Sequence, residues 1–74
     1  MKTVEINTNY ITLGQFLKYI GLIDSGSGAK YYLYSNEVVV NNQLEQRRGK
    51  KLYDGDVIGL NNEKYIIKSN DNAY

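Results

Sequence analysis

The chain has 74 residues, with nine Lys and Arg against eight Asp and Glu, no Cys and no His, so its formal net charge is +1. This composition excludes disulfides, removes the side chains that structural zinc prefers, and argues against coating of nucleic acid by bulk attraction. The length predicts one domain. Because no apolar stretch approaches membrane-spanning length, we expect a cytoplasmic protein with no membrane partner. We also expect a monomer with no cofactor and no small-molecule substrate.

The first predicted helix is the clearest element of the chain. Before it, residues 4–8 alternate apolar and polar side chains, which is the period of a half-buried strand. Thr12 and Gln15 have the spacing of a capping box, and Gly21 stands where the helix can end with positive φ. The apolar face of this helix, at spacing i, i+3, i+4 and i+7, consists of Leu13, Phe16, Leu17 and Ile20.

A second, shorter helix is predicted over residues 29–34. It follows a break at residues 24–28 that is rich in N-cap residues, and Asn36 tolerates the left-handed conformation that would end it. Ala29, Tyr32 and Leu33 can share its inner face.

The rest of the chain predicts short strands joined by tight turns. Residues 38–40 are all Val and indicate a strand, and Asn41-Asn42 can turn it into a hairpin. A second hairpin is predicted around residues 61–63, and Gly55 lies at the tightest point of the turn between the two hairpins.

The order of elements predicts an α+β fold, with two helices packed on a small antiparallel sheet of about four to five strands. We expect a single domain over residues 1–74, with a core over about residues 3–68 and a frayed polar tail at 69–74.

Four of the nine basic residues fall in one run of five, so the positive charge is concentrated. Its members are Arg47, Arg48, Lys50 and Lys51, around Gly49. Arg and Lys at this density can neutralise phosphates, with the two Arg giving bidentate contacts. A solvated loop is the alternative interpretation.

Two further features have both a binding and a structural interpretation. Ser25 and Gly26 precede the second helix, where free N–H groups can cradle a phosphate beside Lys30, or simply form a flexible turn with an N-cap. The chain has eight Tyr, and exposed tyrosines beside basic residues can stack unpaired bases, for which Tyr31 and Tyr53 are the candidates, although Tyr also serves at the edge of a core. Catalysis is not indicated, because Asp54 and Asp56, which flank Gly55, are more typical of a turn.

In order and spacing, several segments resemble the S4 RNA-binding domain family over about residues 3–68. These segments are Thr12–Leu17, Ser25 with Ala29-Lys30, Glu37–Asn41, and Leu52 with Gly55–Ile58. Small stand-alone bacterial members carry Arg47-Arg48-Gly49 and Lys51-Leu52 in the same place. The resemblance implies an S4-like (alpha-L) fold whose RNA-binding surface comprises the first two helices, the start of the second, and the adjoining loop. Many members have Arg where this chain has Gly26, and Asn36 and Asn42 replace usual glycines.

We therefore expect a non-catalytic module that binds structured RNA, such as ribosomal or transfer RNA, by its shape and backbone more than by its sequence. The alternative is a protein-interaction adaptor that keeps the S4 fold without RNA, which the near-neutral charge and Gly26 favour. The residues expected to contact RNA are Arg47, Arg48, Lys50, Lys51, Lys30, Ser25, Gly26, Tyr31 and Tyr53.

Overall fold

A computed structural model describes residues 1–70 of the chain, which form two helices and seven strands. In chain order the elements are β1 (Lys2–Ile6), β2 (Tyr10–Thr12), α1 (Leu13–Tyr19), α2 (Ser27–Ser35), β3 (Val39–Val40), β4 (Gln43–Leu44), β5 (Lys51–Tyr53), β6 (Val57–Leu60) and β7 (Glu63–Ser69). The predicted α+β class with two helices is confirmed.

The strands form two sheets. The larger has the order β1-β7-β6-β3-β4, and the smaller pairs β2 with β5. All pairs are antiparallel except β1 with β7, which run parallel with Val4 opposite Ile67. The main sheet is therefore mixed, whereas the sequence predicted an antiparallel one, because alternation of side chains indicates a half-buried strand but not the direction of its partner.

The core lies between the helices and one face of the main sheet. Phe16 at its centre is fully buried and meets the Tyr65 ring edge-on, with the ring centroids 5.4 Å apart. At about 25 cal/mol per Å² of apolar surface, burial of such side chains is the main source of stability. The other buried residues are Val4, Ile6, Leu13, Leu17, Ala29, Leu33, Val38, Val40, Leu52, Ile58, Leu60 and Ile67.

The capping box that the sequence predicted at α1 is present. The Gln15 N–H donates to the Thr12 hydroxyl over 3.2 Å, and the Thr12 N–H donates to Gln15 Oε1 over 2.9 Å. Gly21 has a φ of +83°, as expected for a residue that follows the last turn. Local sequence therefore determines both ends of α1.

Both ends of α2 differ from the prediction. The helix begins at Ser27, and its N-cap is Gly26, which provides no side-chain hydrogen bond. At the other end Asn36 is extended, with φ −133°, and is not left-handed. The Asn36 main-chain N–H and its side-chain amide both donate to the Tyr32 carbonyl, over 2.9 and 3.1 Å. These bonds satisfy the end of the helix without a reversal of the chain.

Both predicted hairpins turn on pairs of Asn in the left-handed region. Asn41 and Asn42 have φ values of 51° and 69°, and Asn61 and Asn62 have 50° and 62°. Two consecutive residues with positive φ make the type I′ turn that suits a two-residue hairpin. The second turn is shorter than predicted, since Glu63 already belongs to β7.

The turn before β6 also follows the structural interpretation of its two carboxylates. Gly55 has a φ of +88°. Asp54 accepts the Ser69 N–H over 2.8 Å, and Asp56 accepts the Tyr53 N–H over 2.7 Å. The two side chains therefore tie this turn to β7 and to the end of β5.

The expected fraying of the tail is wrong for its first two residues. Ser69 ends β7, and its hydroxyl donates to the Thr8 carbonyl over 2.7 Å. The Asn70 N–H donates to the Ile6 carbonyl over 2.8 Å, because parallel pairing with β1 extends this far. The rest of the predicted tail, residues 71–74, lies outside the described residues. Within residues 1–70, neither helix is long and apolar enough to cross a membrane.

Candidate nucleic-acid interface

The basic segment, residues 47–51, is fastened to the first turn of α1 by its main chain. The Leu13 N–H donates to the Lys50 carbonyl and the Gly14 N–H to the Arg48 carbonyl, both over 2.8 Å. The first four amides of a helix have no partner within the helix, and here the segment supplies partners for two of them. The backbone of the segment is thus fixed, while the side chains of Arg48 and Lys51 remain exposed and that of Lys50 is half-buried.

Gly14 is the point at which the basic segment, α1 and α2 meet. A Cβ atom at Gly14 would lie 3.3 Å from Ala29 Cβ and 3.5 Å from Arg48 Cβ. The missing side chain therefore lets Arg48 approach the buried face of α2 across the start of α1. Sequence reasoning did not identify Gly14 as part of the site. A glycine inside the first turn of a well-capped helix is the feature that indicates such a close approach.

An open groove of about 720 Å³ lies between α2 and the chain directly before the basic segment. Lys30 and Tyr31 line this groove together with Gln46, the residue that immediately precedes the basic segment. Tyr31 and Tyr34 on the same side of α2 are 79% and 85% exposed. Lys30 and Tyr31, predicted separately from the basic run, thus line a groove that reaches the residue directly before it.

Arg47 differs from its neighbours because Glu45 already holds it. Its Nε and Nη2 atoms donate to the two oxygens of the Glu45 carboxylate over 2.9 and 3.0 Å, and its main-chain N–H donates over 3.0 Å. These bonds lower the pKa of Glu45 from 4.5 to about 2. Half of the predicted Arg pair therefore carries a compensated charge, and Glu45 is a site residue that sequence reasoning missed.

Lys51 and Tyr53 lie on β5 and contact Tyr10 on its partner strand β2. The Lys51 Nζ lies 4.8 Å from the centre of the Tyr10 ring, and the Tyr10 and Tyr53 rings lie 5.8 Å apart at 49°. This is the geometry of a cation–π contact beside a tilted aromatic pair. Tyr10 was not predicted as a site residue, because the short strand that carries it was not predicted.

The predicted phosphate cradle at the start of α2 is weaker than the sequence indicated. The N–H groups of Gly28 and Ala29 donate to the carbonyls of Ser25 and Gly26, over 3.0 and 3.2 Å. These two amides are therefore already occupied. The Ser25 hydroxyl lies 2.9 Å from that of Ser27, and both are exposed.

The remaining cations of the surface form no ion pair with a described carboxylate. In residues 1–70, the ion pairs are Arg47–Glu45 and the distant Lys2–Glu63. Lys30, Arg48, Lys50 and Lys51 therefore lie beyond ion-pairing distance of any described carboxylate. We call these four residues the open cations.

Comparisons with known proteins agree with this architecture. The profile of a family described as the S4 domain matches residues 4–68. The chain is also 53% identical over 57 residues to the "Probable ribosome maturation protein RlbA" of Bacillus subtilis (strain 168). These 57 residues are 77% of this chain and 80% of that protein. The matched range includes both helices, the basic segment, strands β2 to β6 and most of β7, so the resemblance seen in the sequence is confirmed. The chain belongs to the S4 domain family.

Proposed function

We propose that this protein is a non-catalytic module that binds structured RNA and has a ribosome-related role. Ribosomal RNA is the first candidate, because the matched relative is named a probable ribosome maturation protein. Transfer RNA is the second. The open cations and the outer side of α2 form the proposed contact surface.

The observation that carries the proposal is the attachment of the basic segment to α1. Because the carbonyls of Arg48 and Lys50 accept from the first turn of that helix, their side chains project from a fixed backbone. A segment that is ordered before binding loses less conformational entropy when it binds.

The chemistry of this surface suits phosphates better than base edges. Lys and Arg side chains contact the RNA backbone, and the deep, narrow major groove of an RNA duplex hides its bases from side chains. The guanidinium of Arg48 can bind a phosphate in a bidentate manner. We therefore expect recognition of a folded RNA by shape, with little preference for sequence.

A titration with matched charge variants tests the proposal. Fluorescence anisotropy would follow binding of a folded ribosomal RNA fragment to wild type, to an Arg48→Gln/Lys50→Gln variant, and to a Lys64→Gln/Lys68→Gln control. Lys64 and Lys68 lie on β7, exposed, alternating with core residues, so the control removes the same charge from the opposite face of the sheet. We expect a loss of roughly tenfold or more in the first variant and little change in the control. Equal losses in both would show attraction by bulk charge and reject the site.

A protein-interaction adaptor is the second candidate function, and the exposure of Tyr31 and Tyr34 favours it. Large exposed aromatic side chains on one helix are typical of protein contacts. Pull-down before and after nuclease treatment separates the two functions. Partners that all survive nuclease favour the adaptor, and partners lost with the RNA favour the RNA-binding module.

A further inference from the structure

A second groove, of about 570 Å³, opens on the side of α1 next to the small sheet. One wall is the segment Thr8–Tyr10, and the other is the exposed side of α1, with Gln15, Lys18 and Tyr19. Its volume falls within the range of about 300–1,000 Å³ that small-molecule sites occupy, so it has room for one nucleotide. None of the residues that we expected from the sequence to bind RNA lines it.

Both walls of the groove are held in place. The Thr8 hydroxyl donates to the Tyr10 carbonyl over 2.8 Å, and the Thr8 carbonyl accepts the Ser69 hydroxyl over 2.7 Å. On the other wall, Gln15 belongs to the capping box of α1. The main chain of both walls is therefore held before any ligand arrives, which reduces the entropic cost of binding.

The side chains of the groove combine the contacts that a single nucleotide requires. Tyr10 and Tyr19 are 38% and 60% exposed and offer aromatic faces for stacking. The Asn9 amide can donate to and accept from the Watson–Crick edge of a base. Lys18 supplies a cation for a phosphate. A buried hydrophobic ligand would find no enclosed apolar cavity here.

The groove adjoins the proposed RNA surface through one residue. Lys51, an open cation, places its ammonium 4.8 Å from the centre of the Tyr10 ring. The main chain of Lys51 pairs with Thr12, the N-cap of the helix that forms the other wall. An RNA backbone that follows the open cations therefore reaches the rim of the groove at Lys51.

We propose that this groove is a subsite for one unpaired nucleotide of the bound RNA, with its base against Tyr10 and Tyr19 and its phosphate against Lys18. The proposal rests on the RNA-binding function proposed above. It narrows the ligand to an RNA stem that carries a bulged or flanking unpaired nucleotide. A paired stem alone would leave the groove empty, because stacked and paired bases present no free face.

RNA hairpins that differ by one bulged nucleotide test this subsite. The bulge is moved along the stem one base pair at a time and carries 2-aminopurine, whose fluorescence reports stacking. Wild type should bind one or two adjacent bulge positions about 5- to 150-fold more tightly than the flush stem, the range expected from stacking of one base. Its 2-aminopurine signal should change only at those positions.

The matched variants are Tyr10→Leu/Tyr19→Leu in the groove and Tyr34→Leu on α2. Leucine keeps the apolar bulk that packs against the protein but removes the aromatic face. The groove variant should bind bulged and flush hairpins equally, whereas Tyr34→Leu should keep the preference for the bulge.

The outcomes separate this inference from the proposed function. Equal affinity of wild type for bulged and flush stems, or a preference that survives the groove variant, overturns the subsite alone. Absence of binding to every hairpin, or binding that Arg48→Gln/Lys50→Gln does not weaken, overturns the RNA-binding surface and the subsite with it.

Discussion

The Gly14 N–H donates to the carbonyl oxygen of Arg48 over 2.8 Å, and the same glycine leaves no side chain between Arg48 and Ala29. One residue therefore connects the capping of a helix, the packing of two helices and the position of a basic side chain. In the S4 fold of this protein, the proposed RNA contact surface depends on the buried first turn of α1, where no side chain larger than that of glycine fits at residue 14 without displacing a neighbour.

We predict that Gly14→Val lowers both stability and RNA affinity. A Cβ at this position would stand 3.3 Å from Ala29 Cβ and 3.4 Å from the Arg48 carbonyl oxygen, so the larger side chain must displace one of them. Overpacking of this kind costs about 1–3 kcal/mol. Urea unfolding and the RNA titration measure the two effects.

Gly28 provides the control for this variant, because it also occupies the second position of a helix. Its added Cβ would meet only Ile23 at 3.5 Å, an ordinary contact. Gly28→Ala should leave stability unchanged or raise it by up to about 1 kcal/mol, as the helix propensities of the two residues indicate. Similar destabilisation of both variants would show that the loss at Gly14 does not come from the close approach.

A second prediction concerns Asn41, the first residue of the β3–β4 turn. Its side-chain amide donates to Asp56 over 3.1 Å, and its side-chain oxygen accepts the Val57 N–H over 3.0 Å. Glycine keeps the positive φ of this position but removes both bonds. We expect Asn41→Gly to reduce the free energy of unfolding by about 1–2 kcal/mol, as measured by urea unfolding.

Asn42→Gly is the matched change at the next position, with a φ of 69° and no such cross-link among the described residues. Its effect should stay within about 0.5 kcal/mol. Equal losses at the two positions would mean that backbone flexibility, and not the side-chain bonds to β6 and its turn, determines the cost.

The sequence predicted the elements that neighbouring residues determine, and it did not predict the pairings that join distant parts of the chain. All the features that define α1, from Thr12 to Gly21, lie within ten residues, and the helix formed as predicted. The parallel pairing of Val4 with Ile67 joins opposite ends of the chain, and nothing in either segment specifies it. The three-residue strand β2 is too short to show a period, so its pairing with β5 was missed.

The same distinction applies to the candidate site. The density of charge predicted the basic segment, and the pattern of turns predicted a helix start beside Lys30. The attachment of Arg48 to Gly14 depends on contacts between distant elements, which only the fold supplies. The Arg47–Glu45 pair is close in sequence, but it requires a turn conformation that the residues alone do not specify.

A third prediction concerns the acid stability of the Glu45–Arg47 pair. The pKa of Glu45 is lowered from 4.5 to about 2 in the folded protein, chiefly by the hydrogen bonds from Arg47. A carboxylate with a lowered pKa stabilises the fold at pH values above its unfolded pKa, and this contribution disappears as the pH falls through about 2. Glu45→Gln should therefore lower the Tm at pH 7, and the difference from wild type should shrink between pH 4.5 and 2.

Thermal unfolding followed by circular dichroism across this pH range tests the effect. Glu63→Gln is the control, since the Glu63 carboxylate lies 3.7 Å from the Lys2 Nζ and both side chains are largely exposed. Such surface pairs contribute little, so its Tm should differ less from wild type at pH 7. A Tm difference for Glu45→Gln that stays constant from pH 7 to 2 contradicts the assignment.

The last prediction separates the two neighbouring arginines by the salt dependence of RNA binding. If three to five phosphates are engaged, log K should fall with log[salt] at a slope of roughly −2 to −4. Arg48→Gln removes an open cation, so the slope should become shallower by about 1 and the affinity should fall. Arg47→Gln should change both less, because the Glu45 carboxylate, 2.9 Å from the Arg47 Nε, already compensates the charge of this guanidinium. Titrations at several KCl concentrations, with Lys64→Gln as the baseline for loss of one distant charge, measure the difference. Equal slope changes for Arg47→Gln and Arg48→Gln would contradict this prediction and mean that the pairing with Glu45 does not reduce the contribution of Arg47 to RNA binding.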